Sequence, residues 1–371
     1  MTVSADKFFE GKRPWSRIKD RVLGQYMSPY LAKISKRPEQ ILLIDAFAGP
    51  GKFEDDNSPG SPLIICSAAH QYARGKYKAL FINERADHHQ KLDAILHKAN
   101  WTPHAQAVHG DAQDLLREVG RVMTNKSVFI YLDPFGLKDC SFDTLRPFLD
   151  RQRAYSTEIM INLNITGIHR LAAHDKVKSE GRTSLVQQWH DILTSTLGGS
   201  EWEAILLGDS TKSTKEKERE IVDLYKHKLA ETGYLIYHGD CPVMDGDRTK
   251  YHMIFASSHP DTKYLLNDHM CKAFNEAKHS EEVEGTLFEG VHWSQWHDTG
   301  SLNSIVLDRI KISPGRTRLE VWHLIIDDHF MRFTDSEYKK IIKEMVSQKQ
   351  LTVQYTETGR LNDECRLFPR S

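Results

Sequence analysis

Cysteine is scarce in this sequence, and its few copies are scattered. The five residues are Cys66, Cys140, Cys241, Cys271 and Cys365, and no two of them form a C-x-x-C pair. An odd and dispersed set excludes a disulfide framework and a zinc knuckle. Nineteen histidines are present, but no carboxylate or cysteine completes a ligand set at a familiar spacing, so we predict no metal site.

Long apolar runs are also missing. No stretch approaches the roughly 20 residues that a membrane-spanning helix needs, and the N-terminal segment has no apolar stretch behind a basic one. We therefore expect a cytoplasmic protein with no membrane partner. Hydrophobic residues make up 39% and charged residues 27% of the 371 residues, the balance of a globular chain that can form one large and one small domain.

An overall excess of positive charge is absent as well. The net charge of −1 argues against a basic coat for non-specific nucleic-acid binding. Residues 1–40, however, form a basic and helical N-terminal segment with nine Lys and Arg residues against four acidic ones. That segment could contact phosphates or could be a solvated helix face, and the sequence leaves both interpretations open.

Short apolar runs alternate with helical patterns over the first half of the chain. Predicted strands cover 41–47, 78–84, 104–110, 127–133 and 157–164, and predicted helices cover 15–33, 85–98, 112–122 and 141–151. This alternation is typical of right-handed βαβ units in a parallel sheet. We therefore expect an α/β fold with a Rossmann-like sheet, whose ligand lies at the carboxyl ends of the strands.

The second half of the chain has a different organisation. Residues 165–232 are predicted to be a helical insertion, and the apolar runs 234–243 and 251–259 flank an Asp-Gly turn that favours an antiparallel hairpin. The sheet domain then spans 41–278. Weakly patterned residues 279–315 are interpreted as a linker. Residues 316–371 have the helix, helix, two-strand order of a small winged-helix-like domain, which could bind DNA or a protein.

A glycine-rich turn, Asp45-Ala-Phe-Ala-Gly-Pro-Gly51, follows the first predicted strand. Gly49 and Gly51 would let the backbone approach a ligand closely. Glu84 ends the second strand, where a carboxylate can accept both ribose hydroxyls, and Asp111 follows the third, where it could face an adenine edge or cap a helix. Because three carboxylates would repel a pyrophosphate, the set favours an adenosine cofactor without phosphates and disfavours NAD.

Asp133-Pro134-Phe135-Gly136 ends the fourth predicted strand. The Asp133 side chain and the Pro134 carbonyl could accept hydrogen bonds from an exocyclic amine, and Phe135 could stack on an extruded base. A proline-terminated strand with a core phenylalanine is the alternative interpretation.

Together these segments resemble the class I S-adenosylmethionine-dependent methyltransferases. DAFAGPG, FINE and HGD look like their first three motifs, and DPFG like a variant of the D/N-P-P-Y/F motif of amino-group methylases. The layout is similar to the three-Cys-motif partner protein family of bacterial and phage-associated proteins, through W15-x-x-x-K19, IDAFAGPG, GSPL (60–63) and LDPFG. The resemblance implies a S-adenosyl-L-methionine cofactor at Asp45, Phe47, Gly49, Gly51, Glu84 and Asp111, and a target amine at Asp133, Pro134 and Phe135.

Two functions of different classes follow from the sequence. The first is methyl transfer to an exocyclic amine of a nucleic-acid base. The second is a cofactor-binding but catalytically silent subunit of a phage- or defence-associated system, docked to a three-cysteine partner protein. A nuclease ranks last, since no D…E-x-K cluster is present.

Overall fold

A computed structural model describes residues 14–54, 56–137, 140–173, 183–245, 248–279 and 299–370. The chain divides into two compact units, Met1–Lys263 and Tyr264–Ser371. Three of the basic residues predicted for the N-terminal segment, Lys7, Lys12 and Arg13, lie outside the described residues. Among the residues that are described, no helix is both long enough and apolar enough to cross a membrane.

The first unit contains a seven-stranded sheet in the order β3-β2-β1-β4-β5-β7-β6. The strands are β1 (Gln40–Asp45), β2 (Tyr77–Asn83), β3 (Ala105–His109), β4 (Lys126–Leu132), β5 (Thr157–Asn164), β6 (Tyr237–Asp245) and β7 (Arg248–Ser257). Strands β1 to β5 are parallel to one another, whereas β7 is antiparallel to both β5 and β6. The predicted α/β sheet of five parallel strands closed by a hairpin is confirmed.

Helices connect the strands and cover the sheet. Those of the first unit are α1 (Pro14–Ile34), α2 (Ser61–Tyr72), α3 (Ala86–Lys98), α4 (Ala112–Val122), α5 (Arg146–Leu149), α6 (Ile165–Ala172), α7 (Thr183–Leu197) and α8 (Thr214–Ala230), with a 3₁₀ turn at Phe142–Thr144 and a π-helical turn at Ala204–Gly208. The central strands are buried on both faces, which explains their continuous apolar sequences.

The helix predicted over 141–151 is wrong in its length. The segment forms only a 3₁₀ turn and the four-residue α5, because the backbone N–H groups of Leu145 and Phe148 bond three residues back, to Phe142 and Leu145. Pro147 has no N–H to extend an α-helical ladder. Cys140, beside this turn, is buried.

The linker predicted over 279–315 is corrected in its second part, where Thr299–Ile312 forms a helix, α10. Leu302, Val306 and Ile310 recur every four residues along it and are fully buried in the core of the second unit. This apolar stripe is the signature of an amphipathic helix. Residues 280–298 of the predicted linker lie outside the described residues.

The second unit contains α10 together with α11 (Arg318–Asp328), α12 (Asp335–Ser347) and an antiparallel pair, β8 (Leu351–Gln354) and β9 (Arg366–Pro369). Helix α9 (Pro260–His279) crosses the division between the units at 263/264, earlier than the predicted domain end at 278. The reason is local: Asn267 of α9 exchanges hydrogen bonds with the backbone of Met331 and Phe333, at 2.7 and 2.8 Å. The winged-helix assignment of this unit stays a prediction.

Candidate functional site

The turn after β1 is built around the side chain of Asp45, which is fully buried. Its Oδ1 accepts a hydrogen bond from the Phe47 backbone N–H at 3.2 Å, and its Oδ2 accepts one from the Ser61 hydroxyl at 2.6 Å. Burial raises the pKa of Asp45 to about 7 against the effect of these two hydrogen bonds, and the carboxylates of Asp133 and Asp20 raise the pKa further. Asp45 therefore ties the turn to the first residue of α2.

Asn83 and Gly51 fix the rest of the turn. The Asn83 side-chain nitrogen donates to the carbonyl oxygens of Ala48 at 2.7 Å and Gly49 at 3.1 Å. Gly51 has a φ of +90°, and a Cβ at this position would lie 3.0 Å from Cδ1 of Leu92 on α3. The turn needs glycine at 51 for both its backbone conformation and its packing.

A cavity of about 160 Å³ opens where β1, β2, β3 and β4 end. It is lined by Ala46, Phe47, Ala48, Glu84, Arg85, His88, Asp111, Ala112 and Phe135. Two phenyl rings and two carboxylates therefore face the same space. The one guanidinium in this lining, that of Arg85, donates hydrogen bonds to Asp87 at 2.8 and 3.0 Å.

The two acidic residues of the cavity are held differently. Asp111 is the N-cap of α4, because its Oδ1 accepts hydrogen bonds from the backbone N–H groups of Gln113 at 2.8 Å and Asp114 at 3.0 Å. Glu84 directly follows β2 and is exposed, and its backbone carbonyl lies 3.2 Å from Nε2 of His109. Asp111 thus combines the two roles that the sequence left open, capping a helix and lining the cavity.

Asp133, at the end of β4, forms an ion pair with a residue of the N-terminal helix. Nζ of Lys19 on α1 lies 2.7 Å from Oδ1 and 2.5 Å from Oδ2 of Asp133. Only 2% of the Lys19 side chain and 25% of the Asp133 side chain are exposed. The same Nζ lies 4.6 Å from the centre of the Tyr251 ring. Both oxygens of the carboxylate therefore contact a buried ammonium.

Helix α1 is anchored on the sheet, which explains why Lys19 reaches β4. The Tyr26 hydroxyl donates a hydrogen bond to Glu158 of β5, and the rings of Tyr26 and Tyr30 pack against Phe129 of β4. Burial raises the pKa of Glu158 to about 7. Lys19 lies two turns before Tyr26 on the same helix, so this contact places its side chain over the end of the neighbouring strand.

The predicted site residues fall into three groups. Phe47, Glu84, Asp111 and Phe135 line one cavity, while Asp45, Gly49 and Gly51 shape the turn beside it. Asp133 and the buried Pro134 follow β4, and among the described residues they do not line that cavity. Phe135 thus lines the cavity, whereas Asp133, two residues earlier in the chain, pairs with Lys19.

Several residues that line or shape the site were not predicted as site residues, among them Lys19, Ser61, Asn83, Arg85 and His88. Ser61 and Asn83 stand in the GSPL and FINE segments, so their proximity to recognised motifs was the available signal. Lys19 stood in the W15-x-x-x-K19 segment without an assigned role. His88 stands next to a second histidine, and nothing in the surrounding sequence indicates that it lines a cavity.

No protein-family model matches this chain, and no curated protein sequence matches it. Its structure is similar to that of a methyltransferase from Geobacter sulfurreducens, with 11% identity and a TM-score of 0.25 over 36% of this chain and 58% of that one. It is also similar to an O-methyltransferase from Bacillus cereus in complex with SAH, with 10% identity and a TM-score of 0.32 over 63% of this chain and 79% of that one. At such values neither likeness bears on activity.

Proposed function

We propose that this chain is a S-adenosylmethionine-dependent methyltransferase that acts on an amine. The observation that carries the proposal is the single cavity that Phe47, Glu84, Asp111 and Phe135 share at the carboxyl ends of parallel strands. Ligands of open α/β sheets bind at this edge. The proposal also draws on the four sequence motifs, because each of them contributes at least one residue to the cavity lining from the end of a different strand.

The cavity residues suit the cofactor in three respects. The Glu84 carboxylate can accept the two ribose hydroxyls, and Asp111 can accept from the adenine amine. The rings of Phe47 and Phe135 offer apolar faces to a base. Because Glu84 and Asp111 would repel phosphates, and because Arg85 already bonds to Asp87, a nucleoside without phosphates fits better than a dinucleotide.

S-adenosylmethionine, when bound, supplies a methyl group on a positively charged sulfur. The chain itself would orient the acceptor: the Asp133 carboxylate accepts a hydrogen bond from the amine and takes up its proton. The Asp45 carboxylate and Asn83 keep the turn in shape beside the donor. We propose the exocyclic amine of a nucleic-acid base as the acceptor, by the likeness of Asp133-Pro134-Phe135 to amino-methylase motifs.

Asp133→Asn tests this proposal. We expect the wild-type chain to transfer a labelled methyl group to total RNA or DNA and the variant to lose at least roughly 100-fold in rate, because the amide cannot take up the proton. The Kd for S-adenosylmethionine should change by less than about threefold, because Asp133 lies outside the cavity lining. Glu118→Gln, an exposed acidic residue of α4, is the matched control and should behave as wild type. Loss of cofactor binding in Asp133→Asn would contradict the proposal that Asp133 binds the acceptor and the cavity residues bind the cofactor.

A second function is favoured by one observation, the ion pair between Lys19 and Asp133. A carboxylate whose two oxygens already contact an ammonium suits a catalytically silent subunit that binds the cofactor and docks a protein partner. The three-Cys-motif partner resemblance points to a partner of that kind. Tight S-adenosylmethionine binding without methyl transfer, together with a stoichiometric protein that co-purifies, would support this second function over the first.

A further inference from the structure

The surroundings of the Lys19 ammonium have the composition of a cation-binding site. Nζ contacts both oxygens of Asp133 and lies over the face of Tyr251, at 4.6 Å from the ring centre. Carboxylates and aromatic faces both bind alkylammonium ions in proteins. Tyr251 reaches this place because it pairs with Asn164, the last residue of β5, at the edge where β4 also ends.

The site is enclosed, which distinguishes it from an ordinary surface ion pair. Lys19 and Tyr251 are buried, and Asp133 is three-quarters buried. Burying an ammonium is costly unless a nearby group of opposite charge compensates it. The Asp133 carboxylate supplies that charge for Lys19. The ring of Tyr251 also has Lys250 at 5.9 Å from its centre, on its own strand.

We propose that Asp133 and Tyr251 form a subsite for a primary alkylammonium ion, and that Lys19 fills it as an internal occupant. An acceptor amine therefore reaches Asp133 only when the Lys19 side chain withdraws. The inference goes beyond the proposed function: it assigns Asp133 an internal occupant, the Lys19 ammonium, which an acceptor amine has to displace.

Chemical rescue tests the subsite without knowledge of the natural substrate. Lys19→Ala removes three methylene groups and the ammonium, which together correspond to propylammonium. We expect this variant to melt roughly 5 °C or more below wild type, since Asp133 is left without its counter-charge. Propylammonium at ten times its Kd should then restore the Tm by roughly 3–5 °C, because it binds only the folded state.

Three controls make the result specific. 1-Propanol has the same size without the charge and should not restore the Tm. Lys19→Ala combined with Asp133→Asn should not respond to propylammonium. Lys33→Ala removes another lysine of α1, whose ion pair with Asp261 is exposed, and should neither lose stability nor respond. Equal rescue by propanol, or a Lys19→Ala variant as stable as wild type, would overturn the inference.

If Lys19→Ala does not fold, the wild-type chain still allows a test. Reductive methylation with formaldehyde should modify Lys33 quickly and Lys19 slowly, because Lys19 is buried in the ion pair, and Asp133→Asn should speed up the modification of Lys19. Equal rates for Lys19 and Lys33 in the wild-type chain would contradict an enclosed subsite.

Lys19→Ala also separates this inference from the proposed function. The next readout, methyl transfer, rests on the proposed function. Lys19→Ala with propylammonium and S-adenosylmethionine should form N-methylpropylammonium. The bound propylammonium first gives one proton to Asp133, the freed amine nitrogen then bonds to the methyl carbon as the carbon–sulfur bond breaks, and S-adenosylhomocysteine leaves. Thermal rescue with no methylated amine would leave the subsite standing and count against methyl transfer. Methylated amine without thermal rescue would count against the subsite alone.

Discussion

The edge of the sheet where the parallel strands end has two halves, which differ in what contacts their carboxylates. The cavity half lies at the ends of β2 and β3, and the other half lies at the ends of β1 and β4. At the ends of β2 and β3, Glu84 and Asp111 are exposed and face an open cavity. At the ends of β1 and β4, Asp45 is fully buried, Asp133 is three-quarters buried, and each of their four oxygens accepts a hydrogen bond from the chain itself. A ligand can enter the first half without rearrangement, whereas at Asp133 it has to replace Lys19.

This difference matters for how the two parts of a transfer reaction would be controlled. Cofactor binding depends on residues that already line a cavity, so its affinity should be insensitive to Lys19. Acceptor binding depends on an ion pair whose breakage leaves a buried charge without compensation. Under the proposed function, cofactor binding would therefore need no rearrangement, whereas an acceptor would enter only after the Lys19 side chain is displaced.

Gly51→Ala should give the largest effect on the cavity half. The positive φ and the contact with Leu92 together are expected to lower the free energy of unfolding by about 3 kcal/mol and to weaken S-adenosylmethionine binding. Gly75→Ala is the matched control: its φ is +79°, but a Cβ there has nothing within 4 Å, so we expect a loss of about 1 kcal/mol and unchanged binding.

Urea unfolding and calorimetric titration of both glycine variants measure these quantities. Equal losses of stability in the two variants would mean that the backbone conformation alone matters. Unchanged cofactor affinity in a folded Gly51→Ala variant would mean that the turn after β1 does not contribute to cofactor binding.

Asp111 should give a smaller effect, which separates its two roles. Asp111→Ser keeps a good N-cap for α4 but shortens the side chain, so stability should stay within about 0.5 kcal/mol while the Kd for S-adenosylmethionine rises about tenfold. Asp111→Ala should show the same change in Kd and lose about 1 kcal/mol of stability as well. If Asp111→Ser binds the cofactor as wild type does, Asp111 acts only as a helix cap.

The sheet and the cavity half could be predicted closely from the sequence. Strands β1 to β5 end within two residues of their predicted ends, because buried parallel strands are marked by continuous apolar runs and the acidic residues stand directly after them. Since parallel strands end at one edge, residues that follow β2, β3 and β4 were expected to share a site. The structure brings Glu84, Asp111 and Phe135 together in this way.

The ion pair between Lys19 and Asp133, in the other half, could not be predicted from the sequence. Lys19 and Asp133 are 114 residues apart, and nothing in either local sequence marks a partner. Their contact depends on the position of α1, which is set by the packing of Tyr26 and Tyr30 against Phe129. The missed helix α10 is a different case, since Leu302, Val306 and Ile310 carry a readable period of four.

Thermal stability with three ligands tests the central claim most directly. S-adenosylmethionine and S-adenosylhomocysteine should each raise the Tm of the wild-type chain, while NAD should leave it unchanged, because the exposed carboxylates of Glu84 and Asp111 favour an adenosine without phosphates. Glu84→Gln should reduce the rise with both S-adenosyl ligands, and Glu118→Gln should not. A rise with NAD that equals the rise with S-adenosylmethionine, or no rise with any of the three, would contradict the account.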